Sequence, residues 1–488
     1  MTPTETDLLG PTTLTGSDFS GDSVAIFERL DPLTGAVAST VPAMTVDDAI
    51  AVVDRAAAAF PAWSQTPPYE RRRLLNRAAD LLEQRAHDFQ RVMAAEVAAT
   101  QPWVRHNVAI GVNNLREAAS LTTQIGGEVI PSNRPGAFAM AIRRPVGVVL
   151  GIVPWNGTIS LAARSVAVPL ACGNTAVMRA SELSPGTHVM FGEIFAEAGF
   201  PEDVVSVVVN APADGPQIVQ ALVAHPAVRR VNFTGSTKVG KIVAELAARH
   251  LKPVLLELGG KNSMIVLGDA DLEAAVSAAV FSSFIFQGQV CMTTGRIVVE
   301  ESIGDEFARR LAERTAALRV GDPRQEEVEL SCLVGEPQAA AAKALVDEAV
   351  AQGATLLTGG ELDGTFLRPA VLDRVRPSMR IYYEETFGPA ACIVRARDAD
   401  HALEIANDSE YGLSGSIFTG DATRALDLAA RWNTGNVHIN GATFSVEAHT
   451  PFGGVKDSGY GRFGGHWAIP EFTDVQLVTI NRDQHYPF

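Results

Sequence analysis

Cysteine is scarce in this chain, and the four present, Cys172, Cys291, Cys332 and Cys392, lie far apart. No C-x-x-C occurs and no two histidines stand at ligand spacing, so no metal site is expected. Thiols without a disulfide framework fit a reducing cytoplasm. No basic run stands out against a formal net charge of −16, which argues against nucleic acid or an anionic membrane as partner. The N-terminus, MTPTETDLLGPTTLTGSDF, lacks the basic and apolar regions of a signal peptide. The longest uncharged stretch, Ala274 to Thr294, approaches membrane-span length, but Ser277, Ser282, Ser283, Gln287, Gly288 and Gln289 interrupt it. It reads as a buried helix leading into a loop. Tandem repeats and low-complexity tracts are missing too.

What is present is the material of a globular protein. At 488 residues the chain exceeds one ordinary core, and two or three domains are expected. Hydrophobic residues make up 47% and charged residues 20%, a soluble balance. Segments 46–63 and 69–98 carry apolar residues at three- and four-residue spacing and read as amphipathic helices. From about 145, short apolar runs (VGVVLGIVP, NTAVMRAS, VVSVVV, RRVNFTG, VLLELGG) alternate with helical stretches at 184–199, 213–225 and 237–250. That alternation implies parallel strands joined by crossovers, a doubly wound sheet. A second alternation begins near 271, with helices at 271–286, 303–318, 336–352 and 399–407 and the strands RIVVEE (296–301) and ACIVRA. It is long enough for its own α/β domain. GGEVIPSNRPGAFAMAIRRP reads as a β-hairpin around a Pro/Gly turn, and the tail EFTDVQLVTINRD alternates like a strand. Both suggest a sheet extension able to pair across subunits.

FQGQVCMTTGR (286–296) places Cys291 among small and polar residues. A free cysteine is most often a small core hydrophobe, and it reacts only where its surroundings favour the thiolate. Four other stretches bear on which it is. In NFTGSTKVGKIVAELAARH, Gly235 permits a sharp turn and Gly240 a close approach by backbone or ligand. The N–H groups opening that helix can face a phosphate, although the motif is not the standard G-x-G-x-x-G. In NTAVMRASE, Glu182 lies where a ribose diol is held and Arg179 can add a charge-assisted hydrogen bond; equally, Ser181 or Glu182 caps the helix that Pro185 starts. VPWNGTIS offers Asn156 as an oxyanion donor or as a turn residue bonding its own backbone. LLELGGKN puts Glu257 at the end of an apolar strand, as a partly desolvated base or a solvated strand-end charge. Thiol, carboxylate, amide and dinucleotide-type half together fit oxidation of an aldehyde through a covalent thioester.

These motifs resemble the aldehyde dehydrogenase superfamily. PWN at 154–156, FTGSTKVG at 233–240, LELGGKN at 256–262, FQGQVC at 286–291, EETFGP at 384–389 and PFGGVKDSGYGR at 451–462 follow the family's order across nearly the whole chain. The resemblance implies that Cys291 is the nucleophile, Glu257 the general base and Asn156 the oxyanion donor, joined by the Cys291 N–H. It implies NAD contacts at Ile152, Pro154, Trp155, Arg179, Ser181 and Glu182. Others are implied at Gly235, Ser236 (pyrophosphate), Gly240, Leu258 and Gly259, with Glu385 and Phe387 on the nicotinamide ribose and ring. The family's K-P-S-E reads RASE here. Glu182 should repel a 2′-phosphate, so NAD is favoured, while Arg179 leaves NADP open.

A narrower resemblance, carried by RASELSP, CMTTGRIVVEE, KDSGYGRFGG and the terminal HYPF, is to the vanillin, salicylaldehyde and benzaldehyde dehydrogenase branch. It implies an aromatic aldehyde substrate and a tunnel lined by Trp103, Arg164, Val290 and Met292, where a guanidinium beside an indole suits a flat ring bearing oxygen. ATFSVEAH departs from the branch and leaves the far wall open. A broad or aliphatic aldehyde dehydrogenase, or a non-redox cysteine esterase, is the alternative; a CoA-acylating enzyme would not need Glu257. The implied fold is α/β, two doubly wound domains plus a small β oligomerisation extension. The expected NAD-binding domain is 1–123 and 146–258, the catalytic domain 259–458, and the oligomerisation strands and tail 124–145 and 459–488. A homodimer or homotetramer is expected.

Overall fold

The computed structural model describes residues 25–482 and the short strand Thr12–Thr13. HYPF and most of the N-terminal stretch quoted above lie outside the described residues. Two mainly parallel sheets organise the rest. The first has six strands in the order 459–460, 254–257, 228–234, 148–152, 175–179, 205–208. All run parallel except Gly459–Tyr460, which lies antiparallel to Leu256 and Glu257. The second has seven, in the order 355–358, 370–373, 390–396, 294–300, 262–266, 414–418, 436–439, with only the first antiparallel. VVLGI (148–152), TAVMR (175–179) and NSMIV (262–266) are buried at every position. Strands covered by helices on both faces require such unbroken runs.

The helices expected at 184–199, 213–225 and 237–250 form as Pro185–Ala198, Gly215–Ala224 and Thr237–Arg249. Pro185 opens the first, where its missing N–H costs nothing. The segment 69–98, read as one helix, is two: Pro68–Gln84 and Ala86–Val97. Their apolar spacing continues across the break because Leu75 and Leu82 of one and Phe89 and Val92 of the other face the same core. The hairpin expected near 126–145 forms from Glu128–Ile130 and Phe138–Pro145. The tail strand Thr473–Ile480 pairs along its whole length with Phe138–Pro145 of the same chain. The two segments expected to seek a partner chain thus find each other first, as a three-stranded sheet. No helix among the described residues is long and apolar enough to cross a membrane.

Candidate active site

Cys291 follows the helix Leu272–Phe284 and a short tight turn, Ile285–Gly288. Inside that turn Phe286 and Gln287 take φ of 47° and 56°, a left-handed conformation costly for residues with a Cβ. The surroundings hold it. Gln287 Nε2 donates to the Cys332 carbonyl at 2.8 Å, and the Phe286 ring stacks on Trp103 at 4.9 Å. A Cβ on Gly288 would collide with the Gly388 carbonyl, so only glycine passes there. Downstream, Asn262 Nδ2 donates to the carbonyls of Cys291 (2.8 Å) and Thr293 (2.9 Å), while its Oδ1 accepts from Ser414 N–H. One amide from the second sheet therefore fixes the loop. Asn262 stands within LELGGKN but was not singled out in the sequence.

Glu257 ends the strand Val254–Glu257 and is fully buried, not merely partly desolvated. A buried carboxylate needs a counter-charge, and Arg164 supplies it. From the second turn of the helix Thr158–Ala171, Arg164 Nη2 donates to Glu257 Oε2 at 2.9 Å and to Thr234 Oγ1 at 3.1 Å. Thr234 lies directly beside Glu257 in the parallel ladder. The guanidinium also covers the rings of Phe463 (4.5 Å) and Phe452 (5.0 Å). Glu257 Oε1 has no hydrogen-bond partner and remains available. The loop containing Ser458 seals this strand end: Leu258 N–H donates to the Ser458 carbonyl, and Ser458 Oγ donates to the Gly259 carbonyl.

Burial, then the negative charge of Glu257, pushes the Cys291 thiol well above its ordinary range. Arg164 pulls in the opposite direction. Resting Cys291 is therefore a neutral thiol close to Glu257. Asn156, in the turn before Thr158, donates Nδ2 to the Gln289 carbonyl at 3.0 Å. An amide nitrogen carries two hydrogens, so one is left for an oxyanion. The Cys291 N–H donates to no group among the described residues. Trp103 Nε1 donates to the Asn156 carbonyl at 3.1 Å and fixes this turn.

Trp103, Arg164, Val290 and Met292, the expected tunnel residues, all line one cavity with Asn156 and Cys291. Phe444 and Val446, from the divergent ATFSVEAH segment, form its far wall, and Phe452 and Phe463 close it. The phenylalanines were missed because they come from loops with no periodicity to mark them. His106, one helical turn after Trp103, also lines the cavity and was passed over as one scattered histidine among ten.

The dinucleotide-type residues divide. Ile152, Arg179 and Glu182 line a groove at the C-terminal ends of the first sheet's strands, with Phe233, Val219 and Ile242. Arg179 is committed there: it forms an ion pair with Glu182, and its Nε donates to Asn210 Oδ1 at 3.0 Å. A Cβ on Gly215 would press against both Arg179 and Glu182. Ser236 caps the helix Thr237–Arg249, accepting from Val239 N–H. A Cβ on Gly240 would strike the Leu258 side chain. Gly235 similarly clears the Phe233 ring. Ser181 does not cap the helix Pro185–Ala198, whose N-cap is Ser184: its Oγ accepts from Leu183 N–H in the preceding turn, and it does not line the groove. Glu385 is held against Gly259 and accepts from Gly260 N–H at 3.1 Å; burial raises its carboxyl to about 7. Phe387, at φ 46°, meets Trp155 edge-on at 5.9 Å, with Pro154 half-buried beside that tryptophan.

Fold and site define a cysteine-centred oxidoreductase of the doubly wound α/β type. The comparisons with known proteins agree. The aldehyde dehydrogenase family model matches residues 19–478. Vanillin dehydrogenase of Pseudomonas fluorescens is 54% identical over 462 residues, 94% of this chain and 96% of the relative. NAD(+)-type benzaldehyde dehydrogenase of Pseudomonas putida is 38% identical, covering 94% of each chain. The crystal structure of a salicylaldehyde dehydrogenase from Pseudomonas putida G7, complexed with salicylaldehyde, superposes with a TM-score of 0.94 at 46% identity, over 95% of this chain and 96% of that one. The chain belongs to the aldehyde dehydrogenase family.

Proposed function

We propose that the protein oxidises aromatic aldehydes to carboxylic acids with NAD as acceptor, the thioester being released by water. One observation carries this reading. A thiol and an amide line a cavity walled by Trp103, Phe444, Phe452 and Phe463, and a buried carboxylate with a partnerless oxygen lies close enough to act on the thiol with its charge. Flat aromatic walls suit a flat ring. Cys291 releases its thiol proton to water, Sγ adds to the aldehyde carbon, and the oxyanion lies between Asn156 Nδ2 and the Cys291 N–H. Bound nicotinamide supplies the hydride acceptor. Glu257 Oε1 then takes a proton from the water that cleaves the thioester. A CoA-dependent enzyme would have no use for this base.

The residues of the strand-end groove fit a dinucleotide. Glu182 offers a carboxylate to a ribose diol, Ser236 opens a helix towards a pyrophosphate, and Glu385 and Phe387 stand near Gly259 and Trp155. NAD is favoured over NADP because Arg179 is already paired with Glu182, so its guanidinium is not free for a 2′-phosphate and the Glu182 carboxylate would repel one. The division near Leu258/Gly259 into cofactor-binding and catalytic parts belongs to the same reading. So does a homo-oligomer, supported by the exposed Val475, Leu477 and Ile480 on the tail strand and Val129 on the hairpin.

The test is initial NADH formation with vanillin, benzaldehyde and salicylaldehyde against acetaldehyde, hexanal and betaine aldehyde, with and without CoA. Specificity constants higher by orders of magnitude for the aromatic set support the reading. Preference for the aliphatic set, or dependence on CoA, overturns it. Cys291→Ala should abolish oxidation.

A further inference from the structure

The helix Gln101–Leu121 lays Trp103, His106, Ile110 and Asn114 along the cavity at helical spacing. Trp103 marks the reactive end, because its Nε1 holds the Asn156 carbonyl. His106 stacks on Trp103 at 5.6 Å and packs against Phe444 at 5.1 Å, one turn further along. Its Nε2 is buried and has no hydrogen-bond partner. Asn156 Oδ1, at the reactive end, is also unpaired, but the other polar side chains that the helices Gln101–Leu121 and Thr158–Ala171 bring to this wall are engaged. Asn114 Nδ2 donates to the Ser160 carbonyl at 3.1 Å, and Ser160 Oγ bonds to Asn107 Oδ1 at 3.0 Å. Arg164, the side chain that the sequence suggested for reading a ring oxygen, is held by Glu257 and Thr234.

An orphaned imidazole nitrogen in a mostly apolar wall is unusual, since buried polar groups are nearly always paired. An aldehyde whose carbonyl carbon meets Cys291 extends its ring along this stripe. We infer that His106 is a specificity-determining residue that hydrogen-bonds a phenolic hydroxyl at the meta or para position of the substrate ring. This rests on the aromatic-aldehyde reading and narrows it to hydroxylated rings. Burial pulls the imidazole below its ordinary pKa, so it is neutral and can both donate and accept.

The experiment measures kcat/KM for 3-hydroxy- and 4-hydroxybenzaldehyde relative to benzaldehyde in the wild type, His106→Phe and His106→Gln. A contact made equally in ground and transition states appears in KM. His106→Phe should lose about tenfold (roughly 1.4 kcal/mol) on the better hydroxylated substrate, mainly in KM, and little on benzaldehyde. His106→Gln, which keeps a polar amide, should recover part of that loss. An unchanged ratio in His106→Phe, or an equal loss on all three aldehydes, overturns the inference. Should His106→Phe not fold, dissociation constants of 3-hydroxybenzoate, 4-hydroxybenzoate and benzoate for the wild-type protein decide: equal affinity for all three overturns it as well. Failure of the broader reading looks different, as a wild type that prefers aliphatic aldehydes whatever stands at 106.

Discussion

Replacing Glu257 by Gln should make Cys291 more reactive towards an alkylating agent even as it stalls turnover. After burial, the Glu257 charge is the largest influence holding the thiol proton on. Glutamine keeps the shape and removes the charge. A like charge beside a titrating group shifts its pKa by roughly one to two units, which is about one to two powers of ten in thiolate fraction. A more acidic thiol is also a weaker nucleophile, with a Brønsted slope of about 0.4–0.5, so about half of that gain survives on a logarithmic scale. The net expectation is alkylation by iodoacetamide roughly 3- to 10-fold faster at neutral pH. The assay is mass-spectrometric quantification of alkylated Cys291 in cofactor-free protein, where buried Cys172, Cys332 and Cys392 serve as unreactive references. In turnover the same variant should give one NADH burst and stop, because thioester hydrolysis lacks its base. Slower alkylation would refute the reasoning: the carboxylate would then be the thiol's own proton acceptor. Full steady-state turnover would remove Glu257 from the hydrolytic step.

Arg164→Met should move the thiol the other way, slowing alkylation, because the guanidinium lowers the thiol's pKa. It should also destabilise the fold by about 3–5 kcal/mol, seen in thermal unfolding, since it strands a buried carboxylate. Glu182→Gln should raise the NADP to NAD ratio of kcat/KM by about tenfold, because it removes charge beside Arg179 and frees the guanidinium for a phosphate. For Glu385, the native chain binds the carboxyl proton more tightly than the unfolded chain does, with a pKa of about 7. Its stabilising contribution is present below the ordinary carboxylate range and is lost as pH rises through 7. Glu385→Gln should therefore flatten the decline of stability with pH over that window, by about 3 kcal/mol in urea unfolding.

The first sheet was legible because its strands are the runs the eye finds: VVLGI and TAVMR are apolar and uninterrupted. The second sheet was read only in part. Ser414–Phe418 (SGSIF) and Asn436–Ile439 (NVHI) are short and carry polar or glycine positions, yet SGSIF is buried throughout. Its serines are satisfied locally, Ser414 Oγ donating to the Thr443 carbonyl at 2.7 Å. Hydrophobic pattern cannot reveal a polar residue whose partner arrives from a distant loop. Helix Thr158–Ala171 was overlooked for the opposite reason: nearly every position is buried, so it has no polar face to set a period.

The site shows the same limit more sharply. Motifs located Cys291, Glu257 and Asn156, because each chemistry-bearing residue sits at a strand end or turn that its neighbours announce. What the motifs could not give is where a long side chain spends its hydrogen bonds. Arg164, seven residues into its helix, could point into the cavity or across to the sheet, and Thr234 beside Glu257 decides it. With the guanidinium fixed on the base, the cavity loses its obvious polar reader. The unpaired polar atom that remains on the helix wall belongs to His106. Substrate selection and base positioning are thus carried by different helices, His106 on Gln101–Leu121 and Arg164 on Thr158–Ala171. Substitution at 106 can therefore retune the ring preference without disturbing the Glu257 pair. Substitution at 164 should disturb the thiol, the base and the fold together.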